Sequence, residues 1–220
     1  MSVALHIFKD ISFFEDFHQS ELESLASNAI VKIYKKNRVV LCEGEEADCV
    51  YFILEGKVRV YLENLDGKEV TINTIGSGES FGELSLFCEA DRTANVETIN
   101  ESKLLKIKKD DFEKFCFSNL KAARKIITLF ASTVKKLTTD FENLALNDVT
   151  KRIALTLLEH AQSTDAGNVV QGLTHNEIAH LVASSRETVS RIISSMKKEG
   201  LLETSDGKIY LTQQLYKNFY

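Results

Sequence analysis

The hydrophobic rhythm of the chain changes twice along its length. Up to about Asn28 apolar residues come in short helical clusters, and Ser20 with Glu23 makes a capping-box pattern around Leu22, Leu25 and Ala26. From about Ile30 to Ile107 short apolar runs take over: Val39-Val40-Leu41, Val50 to Leu54, Val58 to Leu62, Val70 to Ile75 and Leu104 to Ile107. The segment Lys57 to Leu62 alternates polar and apolar, as a half-buried strand does. Gly44, Gly56, Gly67, Gly76 and Gly78 separate the runs, and Asp66-Gly67 is a hairpin-turn pair. Many short strands at regular spacing predict a barrel or jelly roll.

From Asp110 the period becomes helical. Leu120, Ala123, Ile127, Phe130, Val134, Leu137, Phe141 and Leu144 follow one another at alternating spacings of three and four, an a/d seam held for more than three heptads. A helix of ~25 residues is about 37 Å long, more than a small domain needs. A helix packed on its own domain gives a related stripe, but the strict 3.5-residue period is narrower and predicts a two-chain coiled coil along Ile127, Phe130, Val134, Leu137 and Phe141. Beyond Asp148 the pattern predicts a small helical domain closed by a hairpin, Leu201 to Thr204, the turn Ser205-Asp206-Gly207, and Ile209 to Leu211.

Within that last stretch Thr174 and Glu177 form a capping box ahead of Ile178, Leu181 and Val182. A break at Ala183-Ser184-Ser185 leads into a second helix with Val189, Ile192, Ile193 and Met196 inward and Gly200 at its end. Helix, tight turn, helix is the arrangement that lays its second helix in the DNA major groove. Arg186, Glu187, Ser190, Arg191 and Ser194 then face outward. Arginine can pair bidentately with guanine and glutamate can accept from cytosine N4. A carboxylate facing DNA is costly beside phosphate, so an outward Glu187 is better explained by base reading. A structural helix pair with a solvated charged face accounts for this motif about as well when it is taken alone; the hairpin and the dimer seam tip the balance to DNA.

Composition bounds these readings. The chain has 220 residues, 44% hydrophobic and 27% charged, ordinary for a globular protein of one large or two small domains. No apolar run reaches membrane-span length, and Met1 to Asp10 does not resemble a signal peptide, which predicts a cytoplasmic protein without membrane contact. The net charge is −5. From Asp148 onward acidic and basic residues balance at eight each, so the acidity lies in the N-terminal part, and any contact with nucleic acid must be local rather than through bulk charge. Cys42, Cys49, Cys88 and Cys116 have no CxxC spacing and read mostly as buried hydrophobes, and His6 and His18 are isolated; neither set predicts a metal or haem site. Walker loops, HExxH and nucleophile elbows are absent, so an enzyme is not expected.

A second constellation runs from Gly78 to Phe87, GESFGELSLF, followed by Arg92-Thr93-Ala94. Its glycines permit close backbone approach and free N–H groups for an anion. Arg92 offers a planar fork that suits phosphate. Glu83 can accept from a sugar hydroxyl or orient Arg92, and Thr93 adds a hydroxyl. By themselves these residues describe a glycine-rich turn with a surface ion pair just as well.

Two stretches carry a family resemblance. Ser185 to Arg191, SRETVSR, resembles the recognition helix of the CRP/FNR superfamily of transcription regulators, and Leu144 to Ala154, LALNDVTKRIA, resembles its hinge and first C-terminal helix. The run GESFGELSLF with Arg92-Thr93-Ala94 is similar to that superfamily's phosphate-binding cassette. The resemblance covers nearly the whole chain and implies an α+β fold: a cyclic-nucleotide-binding β jelly roll (residues 1–115), a long dimerisation helix and hinge (116–146) and a winged helix-turn-helix (147–220). It implies cAMP as effector, held by Gly82, Glu83, Leu84, Ser85, Arg92, Thr93 and Ala94, with Glu83 on the ribose 2′-hydroxyl and Arg92 on the cyclic phosphate. Threonine beside that arginine is frequent in cGMP-responsive domains, so cGMP stays open. Where cAMP-binding members use adjacent Thr and Ser on the dimer helix against adenine, this chain has Leu137 and Thr138; only Thr138 can serve. The resemblance also implies that Arg186, Glu187 and Arg191 read a TGTGA-type inverted repeat on double-stranded DNA, with Ser190, Thr174 and Ser185 on the same face, and that RNA polymerase is a partner. Ala183 stands where the family usually has glycine; if the backbone there is left-handed, alanine costs ~1 kcal/mol. Two other functions remain open: a cyclic-nucleotide module acting on a protein partner, and a ligand-independent or redox-responsive regulator.

Overall fold

The computed structural model describes residues 5–164 and 167–219. The chain divides into two compact units, Met1–Val134 and Lys135–Tyr220. In the first, a 3-10 segment (Leu5–Asp10) and helix α1 (Gln19–Asn28) precede strands β1 (Ile30–Tyr34), β2 (Val39–Leu41), β3 (Cys49–Glu55), β4 (Lys57–Glu63), β5 (Glu69–Gly76) and β6 (Ser80–Phe81), the short helix α2 (Glu83–Phe87), strands β7 (Asn95–Thr98) and β8 (Ser102–Lys108), and helix α3 (Lys109–Ser118). Helix α4 (Leu120–Leu146) begins in this unit. The strands form two antiparallel four-stranded sheets, ordered β1-β8-β3-β6 and β2-β7-β4-β5, the jelly-roll arrangement predicted from the strand spacing.

The continuous apolar run in β3 has a simple cause: the strand is buried on both faces. Its side chains alternate between two clusters. Cys49, Tyr51 and Ile53 join Val58, Phe81, Val96 and Leu104 in one core, while Val50 and Phe52 join Leu105 and Ile107 of β8 against Phe14, Phe112, Phe115 and Ile126 of the helical segments. A one-residue slip would exchange the two sets, so register is strongly specified.

Two local expectations need correction. Helix α1 is capped at His18 rather than Ser20: the His18 N–H donates to Glu21 Oε2 at 2.8 Å, and the other Glu21 oxygen accepts from Asn119 Nδ2 at 2.8 Å. The Asp66-Gly67 pair closes the β4–β5 hairpin, but as part of a three-residue loop. The pairing continues to Asn64 N–H on Lys68 O at 3.1 Å, and Asn64 Oδ1 accepts from the N–H groups of Asp66 and Lys68. Only Gly67 of the pair is left-handed (φ 74°), so the turn is not the two-residue type.

Helix α4 buries Ala122 and Ile126 and packs Leu129 and Phe130 on the same core, a stripe at i, i+4, i+7 and i+8. Its opposite face carries Leu120, Ile127, Val134, Leu137, Phe141 and Leu144, all exposed, Ile127 by 68% and Phe141 by 73%. Phe130 of the predicted seam instead packs edge-on against Phe87, with ring centroids 5.8 Å apart.

The second unit contains helix α5 (Val149–Glu159), strands β9 (Gln162–Thr164) and β10 (Gly167–Val170), helices α6 (His175–Leu181) and α7 (Arg186–Lys198), strands β11 (Leu202–Ser205) and β12 (Lys208–Leu211), and helix α8 (Gln213–Phe219). The four strands form one sheet, β11-β12-β10-β9. The β9–β10 hairpin has no counterpart in the sequence reading. All three residues of β9 are exposed and polar, so no alternation announces it; pairing of β10 with β12 through Asn168, Val169 and Val170 holds it. The β11–β12 turn carries positive φ at both Asp206 (51°) and Gly207 (71°), the conformation an Asp-Gly pair favours.

Candidate functional site

In the first unit the chain passes from β6 into α2 through Gly82, left-handed at φ 84°. A Cβ there would lie 2.9 Å from Arg92 Nη1 and 3.1 Å from Leu41 Cδ1, so both conformation and space call for glycine. Glu83 opens α2, Leu84 is exposed, and Ser85 and Leu86 are buried beneath it. Arg92 is held by its backbone: its N–H donates to Glu45 O and its carbonyl accepts from Gly44 N–H, both at 2.8 Å. Its side chain is 2% exposed. Nη1 donates to Gly82 O at 2.8 Å and Nη2 to Cys49 O at 2.7 Å. Asp48 Oδ1 lies 3.5 Å from Nη2, while Asp48 Oδ2 pairs with Lys106 Nζ at 3.0 Å.

Two polar atoms here are left over. Glu83 Oε2 and Arg92 Nε are buried without a hydrogen-bond partner. Desolvation pushes the Glu83 carboxyl up from its ordinary 4.5 to about 7, against the opposing pull of its own backbone and of Arg92. A buried acceptor and a buried cationic donor left unmatched cost free energy, and a ligand bringing a hydroxyl and an anion would relieve both. Thr93 is exposed and Ala94 half-buried beside them. The structure thus brings Gly82, Glu83 and Arg92 into one locus. Thr138 lies on the exposed part of α4 in the second unit. Asp48 and the Cys49 carbonyl, which hold the guanidinium, were missed by sequence reasoning; they lie 44 and 43 positions away, just before and at the start of a strand whose run reads as pure core, and no local pattern marks them.

The second unit assembles the other motif. The Thr174 N–H donates to Glu177 Oε2 at 2.6 Å, and the Glu177 N–H donates to Thr174 Oγ1 at 3.2 Å, completing the expected capping box. Ser185 caps α7 by accepting from the Thr188 N–H at 3.1 Å. Helix α7 buries Val189, Ile193 and Met196, each burial stabilising by about 1.5–3 kcal/mol. That leaves Arg186, Glu187, Arg191 and Ser194 exposed and Ser190 half-buried. Ala183 in the intervening turn is left-handed at φ 49°, the condition under which alanine costs ~1 kcal/mol relative to glycine. Arg152 secures the turn, donating through Nε to Val182 O at 3.1 Å and through Nη1 to Asn147 O at 2.9 Å. Beside the N-terminal end of α6, Thr174 and His175 line a groove with the hairpin residues Thr204 to Ile209.

Comparison with known proteins places both halves. Residues 31–119 match the model of the cyclic nucleotide-binding domain, and residues 151–214 that of the Crp-like helix-turn-helix domain. The chain is 31% identical over 186 residues to the cAMP-activated global transcriptional regulator CRP of Salmonella typhimurium, covering 82% of this chain and 89% of that protein. The chain belongs to the CRP/FNR family of transcription regulators. Another member, the cAMP-activated global transcriptional regulator Vfr of Pseudomonas aeruginosa, is 30% identical over 189 residues, 82% of this chain and 88% of its own length. Among known structures, the c-di-GMP responsive global regulator CLP of Xanthomonas campestris superposes with a TM-score of 0.78 at 25% identity, covering 88% of this chain and 99% of that one. Family membership therefore assigns a cyclic nucleotide-binding domain and a DNA-binding helix-turn-helix domain, while relatives on this architecture answer to different nucleotides.

Proposed function

We propose that this chain is a homodimeric transcription regulator whose DNA binding is controlled by a cyclic mononucleotide, cAMP in the first place and cGMP as the alternative. The observation carrying this is the pair of buried, unpartnered atoms Glu83 Oε2 and Arg92 Nε at the start of α2. Arg92 would meet the cyclic phosphate and Glu83 would accept from the ribose 2′-hydroxyl; Gly82, Leu84, Ser85, Thr93 and Ala94 would line the site, and Thr138 would face the base. The exposed apolar face of α4 supports a dimer seam through Ile127, Val134, Leu137 and Phe141, with Phe130 at its margin. Residues 1–115 would act as sensor, 116–146 as dimerisation helix and hinge, and 147–220 as the DNA-binding domain.

Two such chains would present recognition helices ~34 Å apart, one DNA turn. Arg186, Glu187, Ser190 and Arg191 would read a TGTGA-like half-site repeated in inverted order, with Thr174 and Ser185 nearby and RNA polymerase as the downstream partner. The effector must bind the DNA-competent state more tightly, or it shifts nothing. Calorimetry of nucleotide-stripped protein against cAMP, then cGMP, tests the pocket. Micromolar binding at one site per chain is expected, abolished by Arg92→Ala. Binding of neither would overturn the cyclic-mononucleotide reading, leave the DNA reading standing, and direct the search to other nucleotides such as c-di-GMP.

A further inference from the structure

The recognition helix is not equipped by its own residues alone. Two serines, Ser190 and Ser194, stand one turn apart on its DNA-reading face. A serine inside a helix commonly turns its hydroxyl back to the carbonyl four residues earlier, and Ser194 does so, donating to Ser190 O at 2.8 Å. The Ser190 hydroxyl is engaged differently: its Oγ lies 2.9 Å from Nδ1 of His175, the first residue of α6. The reciprocal Thr174–Glu177 bonds clamp the backbone on either side of His175. Both partners are half-buried, so the contact is not an exposed pair free to dissolve into water.

We propose that His175 is a specificity-setting positioning residue: it holds the Ser190 hydroxyl in one orientation, between Glu187 and Arg191, and so decides which base edge Ser190 can read. A hydroxyl can donate or accept at a base, and a freely rotating one discriminates poorly. With Nδ1 accepting, Ser190 shows the groove only lone pairs and suits adenine N6 or cytosine N4; with Nδ1 donating, its proton is free for guanine O6 or thymine O4. Either way the preference at this base pair belongs to the His175–Ser190 pair. This inference rests on α7 being the DNA-reading helix.

The test is a binding profile over a half-site library randomised one position at a time, taken for the wild type, His175→Ala, His175→Asn, Ser190→Ala and the His175→Ala/Ser190→Ala double variant, with Arg186→Ala as control. His175→Ala and Ser190→Ala should each lose roughly two- to tenfold discrimination, the worth of one net hydrogen bond, at the same single base pair. The double variant should lose no more than either alone. His175→Asn, whose amide reaches the place of Nδ1, should retain part of the preference. An unchanged profile in His175→Ala, or equal weakening on every sequence, would overturn the proposal, the second outcome marking a phosphate contact. Ser190→Ala with an unchanged profile would overturn it too. If Arg186→Ala also left every position unaltered, the failure would lie with the assignment of α7 and not with His175 alone.

Discussion

Raising the pH should weaken the nucleotide-free first unit, and Glu83 is the reason. Its Oε2 has no partner and desolvation lifts its pKa from 4.5 to about 7. A carboxyl group that holds its proton more tightly when folded stabilises the fold fully below its unfolded pKa, and that contribution disappears as pH climbs through about 7. A tenfold change in proton affinity corresponds to about 1.4 kcal/mol, so complete enclosure would give roughly 3 kcal/mol between pH 4.5 and 8. Oε2 is enclosed but the residue as a whole is only half-buried, and solvent screening lowers the expected effect to about 1–2 kcal/mol. For a unit of this size that is about 4–8 °C in Tm. The assay is thermal unfolding of nucleotide-free protein from pH 5 to 8.5, wild type against Glu83→Gln, which keeps the shape and removes the titration. The difference between the two curves cancels every other group. The wild type should lose stability relative to Glu83→Gln across that range; parallel curves would refute the reasoning that the buried carboxyl is uncompensated.

Three further outcomes follow from the same geometry. Gly82→Ala forces a Cβ to within 2.9 Å of Arg92 Nη1 in a left-handed backbone, so it should cost about 1–3 kcal/mol in unfolding titrations and abolish nucleotide binding by calorimetry. Ala183→Gly relieves the left-handed turn at φ 49° and should stabilise the second unit by about 1 kcal/mol in thermal unfolding. Phe141→Asp places a charge on the exposed apolar face of α4; sedimentation should show monomers and DNA affinity should fall, whereas an unchanged sedimentation profile would exclude this face as the dimer seam.

Much of this protein is legible along the chain because its signals are local. The strand over Lys57 to Leu62, the switch to helical period after Asp110 and the Thr174–Glu177 capping box depend on neighbours within four residues, and each element forms where the pattern put it, although a register shift between Val60 and Tyr61 breaks the alternation and buries Tyr61. The glycine-rich run and Arg92 were readable as candidate phosphate chemistry for the same reason. Tertiary structure decided what depends on distant residues. Only the folding of β3 beside the cassette puts the Cys49 carbonyl on Arg92 and leaves Nε and Glu83 Oε2 without partners. Only the packing of α6 on α7 sets His175 against Ser190. The β9–β10 hairpin depends on pairing with β12 and not on its own sequence. Short-range hydrogen bonds and periodicity are written in adjacent residues; desolvation and long-range pairing exist only once segments tens of positions apart have closed around the same atoms.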